Sequence, residues 1–370
     1  MNLALTRRSL EMMALAERAR MAIRRRSGAR RMDRQRSAFY ESVWREAASR
    51  LGGRIESLAD GLLEISSGGR IIRVSRNYTP LDDPVTLLLA GNKPAVAKLL
   101  ARHGLPVPRH AEFTLDDIRP AIAVLRQWGR PCVVKPARDT GAGHGVTTGV
   151  ATRWQLARAA ATAAALGSEL IIEEQVAGEN YRLLYLDGVL LDAVRRGPPS
   201  VVGDGRSNIR ALVRRANAAR LAAGFTAAQT LISFDADMQR TLAGQRITLR
   251  TVPPAGSRVI VKTVINDNAS ADNEAATDQL CDEVVAAGAA AARAVGARLA
   301  GVDVVTSDPG RPLDETGGVV LEVNTTPGFY YHYMKQGGRV DVAHYVLRAL
   351  LADRAAARWD LPVAVPCGNV

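Results

Sequence analysis

Residues 320–332 read VLEVNTTPGFYYH. Side chains alternate along a strand, so Glu322 and Asn324 share one face while Leu321 and Val323 take the other. A carboxylate and an amide two residues apart therefore converge on one spot, just before a Thr-Thr-Pro-Gly turn. A strand end with one solvated polar face would read the same way, so the pair is weighed with its surroundings. The run GVDVVTS at 301–307 is a second apolar strand interrupted by Asp303. Asp303, Glu322 and Asn324 on neighbouring strands are hard-oxygen donors of the kind Mg²⁺ takes while keeping waters and sharing a triphosphate.

A phosphate site is suggested by CVVKPARDTGAGHGVTTGV, residues 132–150. Gly141, Gly143 and Gly145 lie in one short loop, where missing side chains let backbone amides form an anion-binding nest. A P-loop would place Lys-Ser or Lys-Thr after the second glycine and a helix directly behind it, and the dinucleotide fingerprint fails at Val146. Lys135, on the strand before the loop, is placed to reach a phosphate beneath the glycines. The strand end LIIEEQVAGENY at 170–181 suits the edge of an adenine, with Glu173 toward the amino group and Asn180 toward the ribose. Surface polarity would account for that strand end equally well.

Composition bounds these readings. The 370 residues are 47% hydrophobic and 23% charged, ordinary for a globular chain with a large core. Cys132, Cys281 and Cys367 show no disulfide or zinc spacing, which points to a reducing, cytoplasmic setting. The five histidines are scattered, and neither His-based metal chemistry nor a His triad is expected. Of the net charge of +12, residues 1–36 supply +8, so the basicity belongs mainly to the N-terminal stretch. That stretch, with Leu and Met at helical spacing among arginines, reads as an amphipathic helix leading into a solvated basic linker. Nucleic acid is disfavoured as a partner, a transit peptide is a minor alternative, and neither a signal peptide nor a membrane span is expected. Only five of the 49 basic residues are lysines (Lys93, Lys98, Lys135, Lys262 and Lys335), so each marks a place where a compact point charge is wanted.

The pattern along the chain predicts an α+β (α/β) fold of several lobes without internal repeats. A helix over SAFYESVWREAASRLGG and strands GLLEISS and RIIRVSRN form a small N-terminal lobe. PVTLLLAGN reads as a short strand, followed by a helix from about Pro94 to His103 and another over TLDDIRPAIAVLRQWG. Strands PCVVKPA and GVTTGV precede a helix opened by a Thr152–Gln155 capping box. Strands ELIIEEQV, YRLLYLDG and VLLDAVRR, a helix from Ser207, a late helix near 277–299, the two metal-bearing strands and a final helix over 340–357 complete the order. The expected divisions are an Arg-rich extension (1–37), an N-terminal lobe (38–90), a central lobe with the glycine loop (91–178), a C-terminal lobe with the metal site (179–358) and a tail (359–370).

Taken in order, NKPAVAKLLARHGLPVP, VVKPARDTGAGHGVTT, IIEEQVAGENYRLL, RRGPPSVVGDGRSNI, AGVDVVTSDPGRPL and LEVNTTPG resemble the ATP-grasp superfamily. Within it the chain is similar to the ligase domain of the cyanophycin synthetases, with bifunctional glutathione synthetases and D-alanine–D-alanine ligases more distant. The resemblance covers roughly residues 88–350 and implies ATP held between two α+β lobes. It implies that Lys93 and Lys135 hold phosphates, that Glu173, Glu174, Val176 and Asn180 hold the adenosine, and that Asp303, Glu322 and Asn324 hold two Mg²⁺ ions, with Mn²⁺ as a substitute. Lys262 in VIVKTVINDN matches a phosphate-contacting position, and Arg196 one that faces an acylphosphate. The implied reaction is carbon–nitrogen bond formation with ADP release, on amino acids or short peptides, and the resemblance leaves room for a homodimer.

Two departures bear on substrate. Asn180 stands where the family more often has an acidic ribose ligand, and NDNASADNEAATD at 266–278 replaces the usual stretch on the acceptor side. Ending near residue 370, the sequence also lacks the Mur-ligase-like half, so a stand-alone ligase rather than a polymerase is expected. The competing readings are a phosphotransferase using the same nucleotide site and a nucleic-acid-binding protein driven by the basic stretch.

Overall fold

The computed structural model describes residues 7–24, 29–138, 140, 143–223, 230–352 and 359–360. The N-terminal lobe is an antiparallel meander of Arg54–Ala59, Leu62–Ser67 and Arg70–Ser75, with Trp359–Asp360 added at its edge. Its first strand is mostly exposed and carries no hydrophobic run that would mark it in the sequence. Helices Ala29–Arg50 and Val342–Ala352 cover the sheet, and the buried Trp44 indole donates to the Arg76 carbonyl at 2.7 Å. PVTLLLA is a helix, Pro84–Ala90, rather than the strand its apolar run suggests. Asp83 decides this by accepting from the amides of Val85 and Thr86, and Pro84 fits the first turn.

The central lobe orders its antiparallel strands His110–Thr114, Glu169–Glu174, Cys132–Pro136 and Thr147–Val150. Cys132, Val134, Leu170 and Ile172 pack under helices Arg119–Trp128 and Arg153–Ala164. The expected capping box is present at Thr152 and Gln155. Helix Arg153–Ala164 buries alanines on nearly every side, which lets another helix approach closely. That helix is Arg7–Arg24, whose Leu10 and Ala14 are buried and whose Arg18 guanidinium donates to the carbonyls of Ala164 and Ala165. Helix Arg7–Arg24 is therefore docked along Arg153–Ala164 rather than extending into solvent. Arg30 and Arg31 belong to a second helix beginning at Ala29, not to a linker. Residues 25–28 lie outside the described residues.

The C-terminal lobe is a five-stranded antiparallel sheet in the order Asn273–Ala275, Val189–Arg196, Glu179–Leu186, Leu299–Thr306, Val319–Asn324. One face carries Leu183, Ala193, Val302, Val304 and Val320 against helices Lys93–Arg102 and Asp282–Val295. A smaller unit pairs Ser200–Val202 with Arg258–Ile260 and has its own core around Val213, Met238 and Leu242, on helices Ile209–Ala223 and Ala236–Gly244. No described helix is long and apolar enough to cross a membrane.

Candidate active site

The register of the five-stranded sheet sets out the site. Asp303 pairs with Arg182 on one side and Glu322 on the other, and Gly301 pairs with Asn324. Asn180 pairs with Arg196. All of these residues lie on the face opposite the helices, and toward the other end of the strands the same face carries Leu184, Leu186, Val194 and Leu299, which pack with Phe329 and Tyr330. A bulge after Asp303 leaves Leu321 unpaired, which keeps Glu322 opposite Asp303 and returns Val320 to the apolar face.

Asp303 is buried and takes a two-pronged hydrogen bond from Arg182, Nη2 to Oδ2 at 2.7 Å, with Nε donating to Oδ1. Burial pushes its carboxyl up, but Arg182 outweighs burial and holds it below the usual range. Glu322, partly buried, behaves in the opposite way: burial and then the neighbouring Asp303 charge push it up, and Lys135 and Arg182 offset this only in part. The Asn324 amide donates to the Gly301 carbonyl at 3.2 Å and lies 3.4 Å from Glu322 Oε1. Gly301 is required here, because a Cβ would meet Pro327 at 2.8 Å and the Arg182 side chain at 3.1 Å.

From the central lobe, Lys135 lies on the face with Val133, Ile171 and Glu173, away from the helices, and its ammonium is 2.8 Å from Glu173. Its charge acts on Glu322, so the two charged faces look toward each other. Lys93, the first residue of its helix, donates to the Thr140 carbonyl and hydroxyl at 3.2 Å each, tying the helix to the glycine loop. Gly143 and Gly145 have φ of +67° and +76°, and a Cβ on Gly145 would strike Leu166 at 2.9 Å. Gly141 lies outside the described residues.

The other expected site residues are engaged as follows. Glu174 faces the opposite side of its strand and is bound by Arg109 at 2.8 Å and Arg130 at 2.5 Å; the Arg109 hydrogen bond is the main cause of its lowered pKa. Val176 and Asn180 flank the connection out of that strand and are partly buried. Lys262 sits between Asp235 at 2.6 Å and Asp267 at 2.7 Å; burial would discharge its ammonium, but the two carboxylates more than offset this and hold its pKa above the ordinary value. Arg196 donates to the Tyr331 hydroxyl at 2.9 Å and lies over its ring at 4.2 Å.

The structure also brings in residues that the sequence does not single out. Arg182 is the counter-ion of Asp303, and its alternation with Asn180 on the strand is its one local signal. Asp192 meets His332 and Lys335, 140 and 143 residues further on, in one buried cluster. Among the described residues no group of three or more His, Cys, Asp or Glu is placed to hold a metal, so an ion here would rely on two carboxylates, the Asn324 amide and oxygens from a bound phosphate. Two carboxylates and an amide oxygen on one sheet face are donors of the kind a hard divalent ion takes.

No protein-family profile matches the chain. It is 31% identical over 322 residues to the cyanophycin synthetase of Trichormus variabilis, covering 86% of this chain and 35% of that one. It is 27% identical over 269 residues to the bifunctional glutathione biosynthesis protein of Pasteurella multocida, 71% of this chain and 35% of the relative. The crystal structure of a bifunctional glutathione synthetase from the same organism superposes with a TM-score of 0.53 at 25% identity, over 83% of this chain and 44% of that one. The chain has an ATP-grasp fold. It spans about a third of the length of the curated relatives it matches. The two facing α+β lobes are therefore the halves of an ATP-grasp fold, and the charged faces line the gap between them.

Proposed function

We propose that this chain is an ADP-forming carboxylate–amine ligase, working on amino acids or short peptides through an acylphosphate. One observation supports the reading above all. The buried Asp303 and the partly buried Glu322 share the face of one lobe across from Lys135 on the other, alongside Arg182 and Arg196. Such a gap suits a reaction between two anions, a carboxylate and a triphosphate, that repel unless positive charge is placed between them. The relatives' names, cyanophycin synthetase and glutathione biosynthesis protein, point to the same class of chemistry.

In this reading a carboxylate oxygen bonds to the γ-phosphorus as the bond to the β-phosphate oxygen breaks, and ADP leaves. Lys135 neutralises charge on the transferred group, and Lys93 with the glycine-loop amides fixes the phosphates. Glu173 holds the Lys135 ammonium in place. An amine then bonds to the acyl carbon, Arg196 faces the developing oxyanion, and the carbon–oxygen bond breaks to release phosphate, which takes the bonding pair, while the nitrogen sheds a proton, leaving an amide. Asp303, Glu322 and Asn324 would hold two Mg²⁺ ions, which when bound supply positive charge to the phosphate oxygens. Lys262, clamped by Asp235 and Asp267, approaches a phosphate only if those carboxylates release it. Cys132 and Cys281 are free thiols, in keeping with a reducing cytoplasmic setting.

Screening acid and amine pairs for amine-dependent ADP release, with mass detection of the product, tests this directly. A product equal in mass to acid plus amine minus water is expected. Phosphate appearing on a hydroxyl instead would replace the ligase with a phosphotransferase.

A further inference from the structure

Asp192 is a carboxylate with 2% exposure deep in the C-terminal lobe. Both of its oxygens lie 2.5 Å from the Lys335 ammonium, Oδ2 lies 2.7 Å from His332 Nδ1, and Oδ1 accepts from the Thr277 hydroxyl at 3.2 Å. His332 is fully buried, and its Nε2 has no hydrogen-bond partner among the described residues. Burial holds the imidazole below its ordinary pKa in spite of Asp192, so His332 is neutral and its Nδ1–H donates to Asp192. The cluster thus holds one negative and one positive charge in a place where an apolar trio would stabilise the fold as well or better. What it adds is direction.

That direction points at the site. Asp192, Val194 and Arg196 take every second position of one strand and so share one face, the face that carries Arg182. His332 belongs to the single helical turn Tyr330–Tyr333, so fixing its ring fixes its neighbour Tyr331. Tyr331 lies under Arg196 at 4.2 Å and near Arg182 at 5.7 Å, and its hydroxyl accepts from Arg196. We infer that Asp192, His332 and Lys335 are positioning residues: a buried clamp that holds Tyr331, and through it the Arg196 guanidinium, in the orientation the site uses. The inference rests on the ligase reading only for what Arg196 does there.

His332→Leu keeps the volume and removes the bond to Asp192, whereas His332→Asn retains a donor near the Nδ1 position. An Asp192→Asn/Lys335→Met double variant removes both charges together. Arg196 is followed by phenylglyoxal labelling and peptide mass, beside a melting curve and a titration with Mg·AMP-PNP. In His332→Leu and in the double variant, Arg196 should label at least about tenfold faster, the size of losing one directed hydrogen bond of about 1.4 kcal/mol, with AMP-PNP binding unchanged. His332→Asn should restore slow labelling. With an active acid and amine pair, kcat should fall in His332→Leu while the KM for ATP holds. Wild-type labelling in the folded variants would overturn the inference, as would unfolding of both, since the cluster would then serve the fold alone. The labelling needs no substrate, so a failed ligase screen leaves this result standing.

Discussion

Along the strand Leu299–Thr306, Val302 and Val304 point into an apolar layer beneath two helices, while Asp303 between them points into a charged gap. The next strand repeats this with Leu183 and Arg182, and the edge strand with Val323 and Glu322. The two faces of one sheet, a single residue apart in sequence, do different work. The helix face gains free energy from area removed from water, which is non-directional and tolerant of exchange. The gap face holds groups whose desolvation opposes folding and which persist through directed pairings such as Arg182 with Asp303. Substitutions on the two faces should therefore separate stability from chemistry.

The largest effect is expected on the helix face. Leu183→Ala removes a fully buried side chain and should lower stability by about 2–5 kcal/mol in a denaturant titration, with Mg·AMP-PNP affinity unchanged at a temperature where the variant is folded. Weakened nucleotide binding there would show that the two faces are coupled. On the gap face, Glu322→Gln keeps shape and removes one charge. Amine-dependent ADP release should fall by at least about a hundredfold, or ~2.7 kcal/mol of barrier, while the melting curve stays close to wild type. Near-normal turnover would sink the role given to this carboxylate.

The smallest effect sharpens the comparison through pH. In the unfolded chain His332 takes up a proton near its ordinary value of 6.5, whereas in the folded state burial lowers its affinity for that proton. Its contribution to stability is therefore present above pH 6.5 and is lost as the pH falls from there toward the folded value. Asp192 bonds to the ring, and Lys335 and Arg182 act on it as neighbouring cations. The extra acid sensitivity of wild type over His332→Asn should be at most ~1.4 kcal/mol per pH unit, read from melting curves. Parallel curves for the two proteins would mean that His332 does not titrate with folding.

These contrasts also mark how far the sequence is readable. Alternation in VLEVN and GVDVV is enough to put Asp303, Glu322 and Asn324 on one face, because the two-residue period is a local property. The capping box at Thr152 is equally local. PVTLLLA misleads because apolar content carries no period over so short a run, and the capping Asp83 lies outside it. The partner of Asp303 is 121 residues away and those of Asp192 are 140 and 143 away, so no window of sequence contains them. Glu174 reads as a neighbour of the adenine, yet its carboxylate is taken by Arg109 and Arg130, contacts set by the lobe's tertiary packing.

The docking of Arg7–Arg24 imposes an order in time. Arg18 leaves the ribosome well before the carbonyl it caps at Ala164, which comes 146 residues later, a delay on the order of ten seconds at ordinary rates of synthesis. Until then Leu10 and Ala14 have no Ala-rich helix to cover them, and the guanidinium has no helix end to close. The segment thus waits for its partner while the residues between are made. A ribosome halted before Ala164 would carry this apolar stripe bare, available to a chaperone or to a neighbouring nascent chain.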